Sequence, residues 1–355
     1  MSTPTRETGD GHRELAVARL WDAVTACDEQ AAVEAALAAL DAGLDLEATL
    51  LDVVGVVQRR VGREWAANRL TVAREHAATA INERVIAAAV HSRPRSHPAL
   101  GRITVACVDG EWHAMPARLL AETLKLRGFA VDYLGAQVPT PHLITHLHQT
   151  GPDAVALSGS LATRLPTAHA TITACQAAGV PVIAGGAAFG SDGRFAGLLG
   201  ADAWAPDARS AADRLTASPL PMPRSDRVLL DDLPHLADQE YAMVVRTAPD
   251  LVRAVYGGLE ERVPAMRDYT ELQLQRTTED LAHIVDFLAT SLYTGDDELF
   301  FGFLSWTAEI LAVRGVPPAC LLPALDLFAT ELRDFARAAP LLARARDHLG
   351  RTDVN

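Results

Sequence analysis

The sequence predicts a multidomain protein of α and α/β parts: a four-helix bundle, a doubly wound α/β domain and a C-terminal all-α domain. Three observations predict it. Residues 12–92 are Ala- and Leu-rich, almost free of proline, and carry apolar residues at helical spacing. From residue 102 the rhythm changes to short β-rich runs alternating with helical ones. Beyond residue 228 the pattern is helical again, with prolines at or near several helix starts.

In the first region, LEATLLDVVGVVQRRVGREWAANRL and TVAREHAATAINERVIAAAV hold the clearest helical periodicity. DAGLD near residue 43 supplies a glycine stop and a new start, and Thr71 is the expected N-cap of the last helix. HSRPRSHPALG, residues 91–101, breaks the pattern with two prolines and reads as a linker. In the second region, 101–218, RITVACV, FAVDYLG, DAVALSG, VPVIAGG and ADAWA read as strands. Helices are expected between them near 115–128, 140–150, 166–178 and 191–200. Alternation of this kind implies right-handed βαβ units and a parallel sheet covered on both faces, here a flavodoxin-like Rossmann domain. TASPLPMPRSDR, residues 216–227, marks a second linker with three prolines. Residues 228–350 should hold about six or seven helices. Candidates are APDLVRAVYGGLEERV, a long helix from Met266 to Tyr293, ELFFGFLSWTAEILAVRG and PPACLLPALDLFATELRDF; Pro249, Pro264, Pro317, Pro318 and Pro340 mark starts.

Acidic residues outnumber basic ones, 45 to 32, for a formal charge of −13. That balance argues against direct, unassisted binding to nucleic acid or an anionic membrane. The four cysteines are scattered without paired spacing, so neither zinc nor a disulfide framework is expected, and a reducing cytoplasm is the simplest location. The N-terminus lacks an apolar targeting segment, and no apolar run approaches the ~20 residues of a membrane span.

Ligands of an open doubly wound sheet sit beyond the carboxyl ends of its strands, where strand order reverses. The unusual residues fall there. Asp109-Gly110-Glu111-Trp112-His113 follows the first strand, Ser158-Gly159-Ser160-Leu161 the third and Gly185-Gly186 the fourth. An imidazole can ligate a metal, hydroxyls can bind a polar tail, and a glycine pair lets a flat group approach the backbone. A single histidine more often ligates nothing, and the coincidence of three matched groups raises this one above that default.

These residues resemble the cobalamin-binding domain shared by methionine synthase, corrinoid carrier proteins and acyl-CoA mutases, with its Asp/Glu-x-His-x-x-Gly loop, Ser turn and Gly-Gly turn. The resemblance implies His113 as the lower ligand of cobalt, with Glu111 and Trp112 in the same loop. It also implies Ser158, Ser160, Gly185 and Gly186 along the channel for the displaced nucleotide tail. Pro116 stands where the family usually has glycine; proline fits the first turn of a helix, so the backbone path survives.

The bundle adds REWAANRLTVAREH, in which Trp65 precedes the pair Glu75-His76 by nine intervening residues. This spacing resembles the CarH-type light-dependent repressors, which bind adenosylcobalamin with the bundle over its upper face. The resemblance implies that Trp65 caps the adenosyl group and that Glu75 with His76 contacts it. Ala66 stands where those repressors commonly have a second axial histidine, which puts a bis-His photoproduct in doubt. Their helix-turn-helix region has no counterpart ahead of the bundle, so DNA binding in cis is not expected.

On the long C-terminal helix Leu281, Ile284, Val285, Leu288 and Leu292 form an apolar face beside a polar line of Arg276, Glu279, His283, Asp286 and Thr290. The order of bundle, cobalamin domain and helical domain resembles the photocobilins, which join a CarH-like unit to a phycobiliprotein-like, globin-like unit binding biliverdin. That implies biliverdin as a second tetrapyrrole, with Arg276, His283, Asp286, Tyr293 and Trp306 as its candidate residues. Cys320, among apolar neighbours in PPACLLPAL, points to non-covalent binding. The plainer alternative is a dimerisation module with His283 and Asp286 on a solvated face.

The expectation is a cytoplasmic, non-enzymatic light sensor that binds adenosylcobalamin and biliverdin, forms a homo-oligomer and acts through a protein partner. Two rivals stand beside it: a corrinoid methyl carrier of a methyltransferase system and a cobalamin storage or delivery protein.

Overall fold

The structure, a computed structural model, describes residues 5–93, 100–223 and 233–352. Parts of both expected linkers, 94–99 and 224–227, and the start of the C-terminal region, 228–232, lie outside the described residues. The chain divides into two compact units, Met1–Ser160 with Thr167–Ser225, and Leu161–Pro166 with Asp226–Asn355.

The first unit opens with helices α1 (Thr5–Thr25) and α2 (Glu29–Asp41). A short α3 (Leu46–Ala48) runs through a π-helical stretch, Thr49–Val54, into α4 (Gly55–Ala66), and α5 (Val72–His91) completes the bundle. Side chains set the starts: Asp28, Asp45 and Thr71 each accept from a backbone N–H of the first turn. Gly43, at φ +98°, makes the stop before Asp45.

The sheet of the same unit runs β1 (Arg102–Cys107), β2 (Ala130–Gly135), β3 (Ala154–Ser158), β4 (Val182–Gly185) and β5 (Ala203–Ala205). Helices α6 (Ala114–Leu126), α7 (Thr140–Thr150), α8 (Leu165–Ala177), α9 (Arg194–Leu198) and α10 (Ala208–Ala217) connect or follow them. All neighbours are parallel in the order β2-β1-β3-β4-β5, so the order reverses between β1 and β3.

Bundle and sheet domain share one compact unit because α6 belongs to both. Met115 and Leu119 are buried in the bundle's own apolar core, beside Leu50, Val57 and Ile86. Gly55 of α4 lies against Leu119, whose Cδ1 would be in ordinary contact, 3.6 Å, with a Cβ there. A charge network ties the seam: Arg127, just past α6, donates to Glu47 at 2.7 and 2.9 Å, and Arg209 of α10 reaches Glu47 and Asp52. Arg127 first, and Arg209 after it, hold the Glu47 carboxyl below the usual range.

The second unit is helical, with α11 (Glu240–Arg262), α12 (Glu271–Thr294), α13 (Asp297–Val313), α14 (Leu322–Glu331) and α15 (Ala338–Thr352) around a core of Leu288, Phe300, Phe328 and Leu342. The described residues therefore hold five α-helices and short 3-10 turns where about six or seven helices were expected. Two boundaries differ from expectation. Pro249 lies inside α11, which begins nine residues earlier, and having no N–H it removes one i→i−4 bond from the helix. The long helix starts at Glu271, because Thr270 and Gln273 form a capping box and Pro264–Asp268 is a separate 3-10 turn. Among the described residues no helix is long and apolar enough to cross a membrane.

Candidate functional site

The loop after β1 brings Glu111 and His113 to the switch point. Gly110 turns at φ +78°, and Val108 N–H donates to the carbonyl of Ser158 at the end of β3. Glu111 is fully buried, yet its carboxylate is well supplied with donors. Oε1 accepts from His113 Nδ1 at 2.6 Å and from His113 backbone N–H at 2.9 Å; Oε2 accepts from Ser160 N–H at 2.8 Å. A carboxylate can only accept, so Nδ1 carries the proton and Nε2 presents its lone pair. Trp112 donates its indole N–H to that nitrogen at 3.3 Å while 62% exposed, so a metal at Nε2 requires the indole to swing away.

Beside this loop a slot of about 100 Å³ opens between α6 and the ends of β3 and β4, lined by Pro116, Leu120, Ser158, Gly185 and Gly186. Its glycines are needed. A Cβ at Gly186, where φ is +99°, would fall 2.3 Å from the carbonyl oxygen of Gly159, and one at Gly185 would meet that of Ala205 at 3.0 Å. Ser158 and Gly185 face each other across the β3–β4 register. Ser160 gives its backbone N–H to Glu111 and stands outside the residues that line the slot. Pro116 lines the slot, a position its sequence context did not reveal.

The donor set fits a macrocyclic metal. Among the described residues no group of three or more His, Cys, Asp or Glu could hold a bare ion. One preset imidazole suits a metal whose remaining positions come from a corrin. Cys107 is buried beneath this loop, its Sγ 3.8 Å from the carbonyl oxygen of His113, and burial pushes its thiol up to about 12.

In the bundle Trp65 is half-buried near the end of α4 and packs on the core that includes Met115. Glu75, in the first turn of α5, accepts from Thr79 Oγ1 at 2.9 Å and pairs with His76 Nδ1 at 2.8 Å. His76 itself is three-quarters exposed and bonds the carbonyl of Val72.

The candidate bilin residues are not gathered in the same way. Arg276 pairs with Glu279 on the solvent side of α12, and His283 and Asp286 are exposed. Thr290, placed on the same polar line, is buried and donates to the carbonyl of Asp286. Tyr293 is buried against His235 at 3.9 Å, stacked, and against Tyr241. Trp306, on α13, is 46% exposed. Two hollows of this unit, of about 340 and 570 Å³, are lined by other residues. Cys320 is exposed, contrary to its apolar neighbourhood in sequence, because it sits on a 3-10 turn ahead of α14.

Comparison with known proteins bears on the cofactor of the first unit. Residues 101–215 match the B12 binding domain family. A second B12 binding domain family matches residues 16–89, the bundle. Together these matches indicate a cobalamin or corrinoid cofactor. The trimethylamine corrinoid protein of Methanosarcina barkeri is 26% identical over 214 residues, covering 58% of this chain and 98% of that protein. The HTH-type transcriptional repressor CarH of Myxococcus xanthus is 33% identical over 133 residues, 36% of this chain and 43% of the repressor. The solved structure of the Methanosarcina barkeri monomethylamine corrinoid protein shares the fold, with a TM-score of 0.51 at 19% identity, over 57% of this chain and 98% of that one.

Proposed function

We propose that the protein is a light sensor that binds adenosylcobalamin through its first unit and a bilin, biliverdin, through its second. Adenosylcobalamin supplies a cobalt–carbon bond that light breaks. His113 offers Nε2 as the lower donor while Glu111 holds the Nδ1 proton. Ser158, Gly185 and Gly186 flank the slot for the nucleotide tail. Trp65 provides a flat apolar surface for the adenosyl group, and the Glu75 carboxylate accepts from ribose hydroxyls. Trp65 and Glu75 would hold the adenosyl group, and losing that contact would change the packing of the bundle on α6 and thereby an oligomeric or partner contact. In this reading the protein is a cytoplasmic signalling protein without catalytic activity, and the bilin, held without a covalent bond in a globin-like unit, extends the response to red light.

The observation that supports the reading is the placement of Trp65 and Glu75 on either side of one short turn. Trp65 stands one residue before the end of α4, Ala66 leaves that end small, and Glu75 accepts from Thr79 in the first turn of α5. The second reading, a methyl carrier, is favoured by the corrinoid-protein relatives, which the chain matches over nearly their whole length.

The test is an absorption spectrum of protein reconstituted with adenosylcobalamin and biliverdin, before and after illumination. The light-sensor reading expects a spectrum that changes irreversibly in green light and a red bilin band. A light-stable spectrum, with preference for methylcobalamin and demethylation by a thiol, supports the carrier. A missing red band removes the bilin and leaves the cobalamin reading in place.

A further inference from the structure

Behind Glu75 runs a chain of side-chain hydrogen bonds across α4 and α5. Thr79 Oγ1 donates to Glu75 Oε1 at 2.9 Å, Gln58 Nε2 donates to Thr79 Oγ1 at 2.7 Å, and Asn82 Nδ2 donates to Gln58 Oε1 at 2.8 Å. Spacing makes the chain possible. Glu75, Thr79 and Asn82 lie four and three residues apart on one face of α5; Gln58 and Trp65 lie seven apart on one face of α4.

The direction of every bond follows from the charge at one end. A carboxylate only accepts, so the Thr79 hydroxyl spends its single proton on Glu75. Thr79 can then only accept from Gln58, whose NH2 must face it. The Gln58 carbonyl therefore faces Asn82, which must turn its NH2 toward it. This orientation leaves Asn82 Oδ1, in a fully buried side chain, without a partner among the described residues. A polar patch that served the bundle core alone would satisfy Asn82 first; here the unmet group sits at the far end and the carboxylate is served.

We infer that Gln58, Thr79 and Asn82 are positioning residues that aim the Glu75 carboxylate and make the bundle select an upper ligand carrying hydroxyl donors over a bare methyl group. The inference rests on the reading of Glu75 as the group that meets the ribose. Thr79 is the link that matters most, because it touches Glu75 directly and fixes the polarity of the remaining bonds. Gln58 acts one step further back, and Asn82 two.

The test is titration in the dark with adenosylcobalamin and with methylcobalamin, comparing the wild-type protein with Thr79→Val, Thr79→Ser and Gln58→Met. Thr79→Val is expected to lower adenosylcobalamin affinity about tenfold, the size of one charge-assisted hydrogen bond, while methylcobalamin affinity is unchanged. Thr79→Ser restores the preference, and Gln58→Met gives a smaller loss of the same kind. Equal weakening toward both cofactors in the valine variant overturns the inference, since a purely structural role would act that way. A wild-type preference that survives Thr79→Val overturns it too, and leaves the reading of Glu75 intact. Equal affinity of the wild-type protein for the two cofactors sinks the reading of Glu75 itself and the inference with it.

Discussion

Glu111 and His113 sit two residues apart at a strand end, while His283 and Asp286 sit three apart on a helix, and each pair sets one imidazole near one carboxylate in a different setting. In the first, the carboxylate is fully buried, accepts three N–H donors and leaves the imidazole with one nitrogen to offer. In the second, both side chains are exposed on α12. A strand-end loop at the switch point draws its hydrogen bonds from a neighbouring strand, and so it can fix a side chain from two directions. On α12, among the described residues, no hydrogen bond from another element reaches the side chain of His283 or Asp286. The comparison teaches that a histidine beside a carboxylate becomes a site when backbone from another element completes it.

The largest effect should come from backbone space in the first unit. Gly186→Ala forces a Cβ onto the Gly159 carbonyl at a positive φ and should destabilise that unit by about 2–4 kcal/mol. Gly257→Ala in the second unit is the counterpart: the glycine is helical, nothing lies within 4 Å of a new Cβ, and stability should rise by about 0.5–1 kcal/mol. Denaturant unfolding measures both. Changes of the same sign would break the contrast between the units.

Next comes the pair of carboxylates. Glu111→Gln keeps the shape but leaves one of its two oxygen positions as a donor facing a donor, and cobalamin affinity should fall about 10–100-fold. Asp286→Asn should leave that affinity unchanged. Titration followed by absorbance in the dark reads both, and equal effects would mean that the two pairs are not different in kind.

The seam between bundle and sheet domain is a smaller target. Glu47→Gln removes the carboxylate shared by Arg127 and Arg209 and should cost about 1–2 kcal/mol, the worth of a partly buried charge-assisted bond. Because the folded-state pKa of Glu47 is depressed, its contribution is complete above about pH 4.5 and fades as pH falls through the lowered value. Wild-type and variant stabilities should therefore converge in acid. A gap that persists there, followed by thermal unfolding between pH 3 and 7, would assign the loss to packing instead.

What could be read from sequence was local. Strand and helix alternation, the Thr71 cap and the Gly43 stop depend on neighbours in the chain, and the structure has them where periodicity and turn chemistry put them. The partners of Glu47 lie 80 and 162 residues away, and Gln58 stands 21 residues from Thr79, so no period or spacing announces them. Helical spacing correctly put Arg276, His283 and Asp286 on one stripe but could not say which part of it would be covered. Thr290 went into the core and Tyr293 into an aromatic stack with His235, a residue that no motif singled out.

The smallest predicted effect is also the most local test of the Glu111–His113 pair. The Trp112 indole N–H rests on His113 Nε2 at 3.3 Å, a long bond on an exposed ring, worth about 0.5 kcal/mol. Trp112→Phe keeps an aromatic ring and removes only the donor. The lone pair is then uncovered without disturbing Glu111 below it, and cobalamin should load about two- to threefold faster. Stopped-flow absorbance in the dark measures the rate. Slower loading would show that the indole guides the cofactor to the imidazole, and an unchanged rate would show that the bond is already broken in solution. Among the described residues no hydrogen bond covers the exposed imidazole of His283, so only the strand-end histidine should respond to its neighbour in this way.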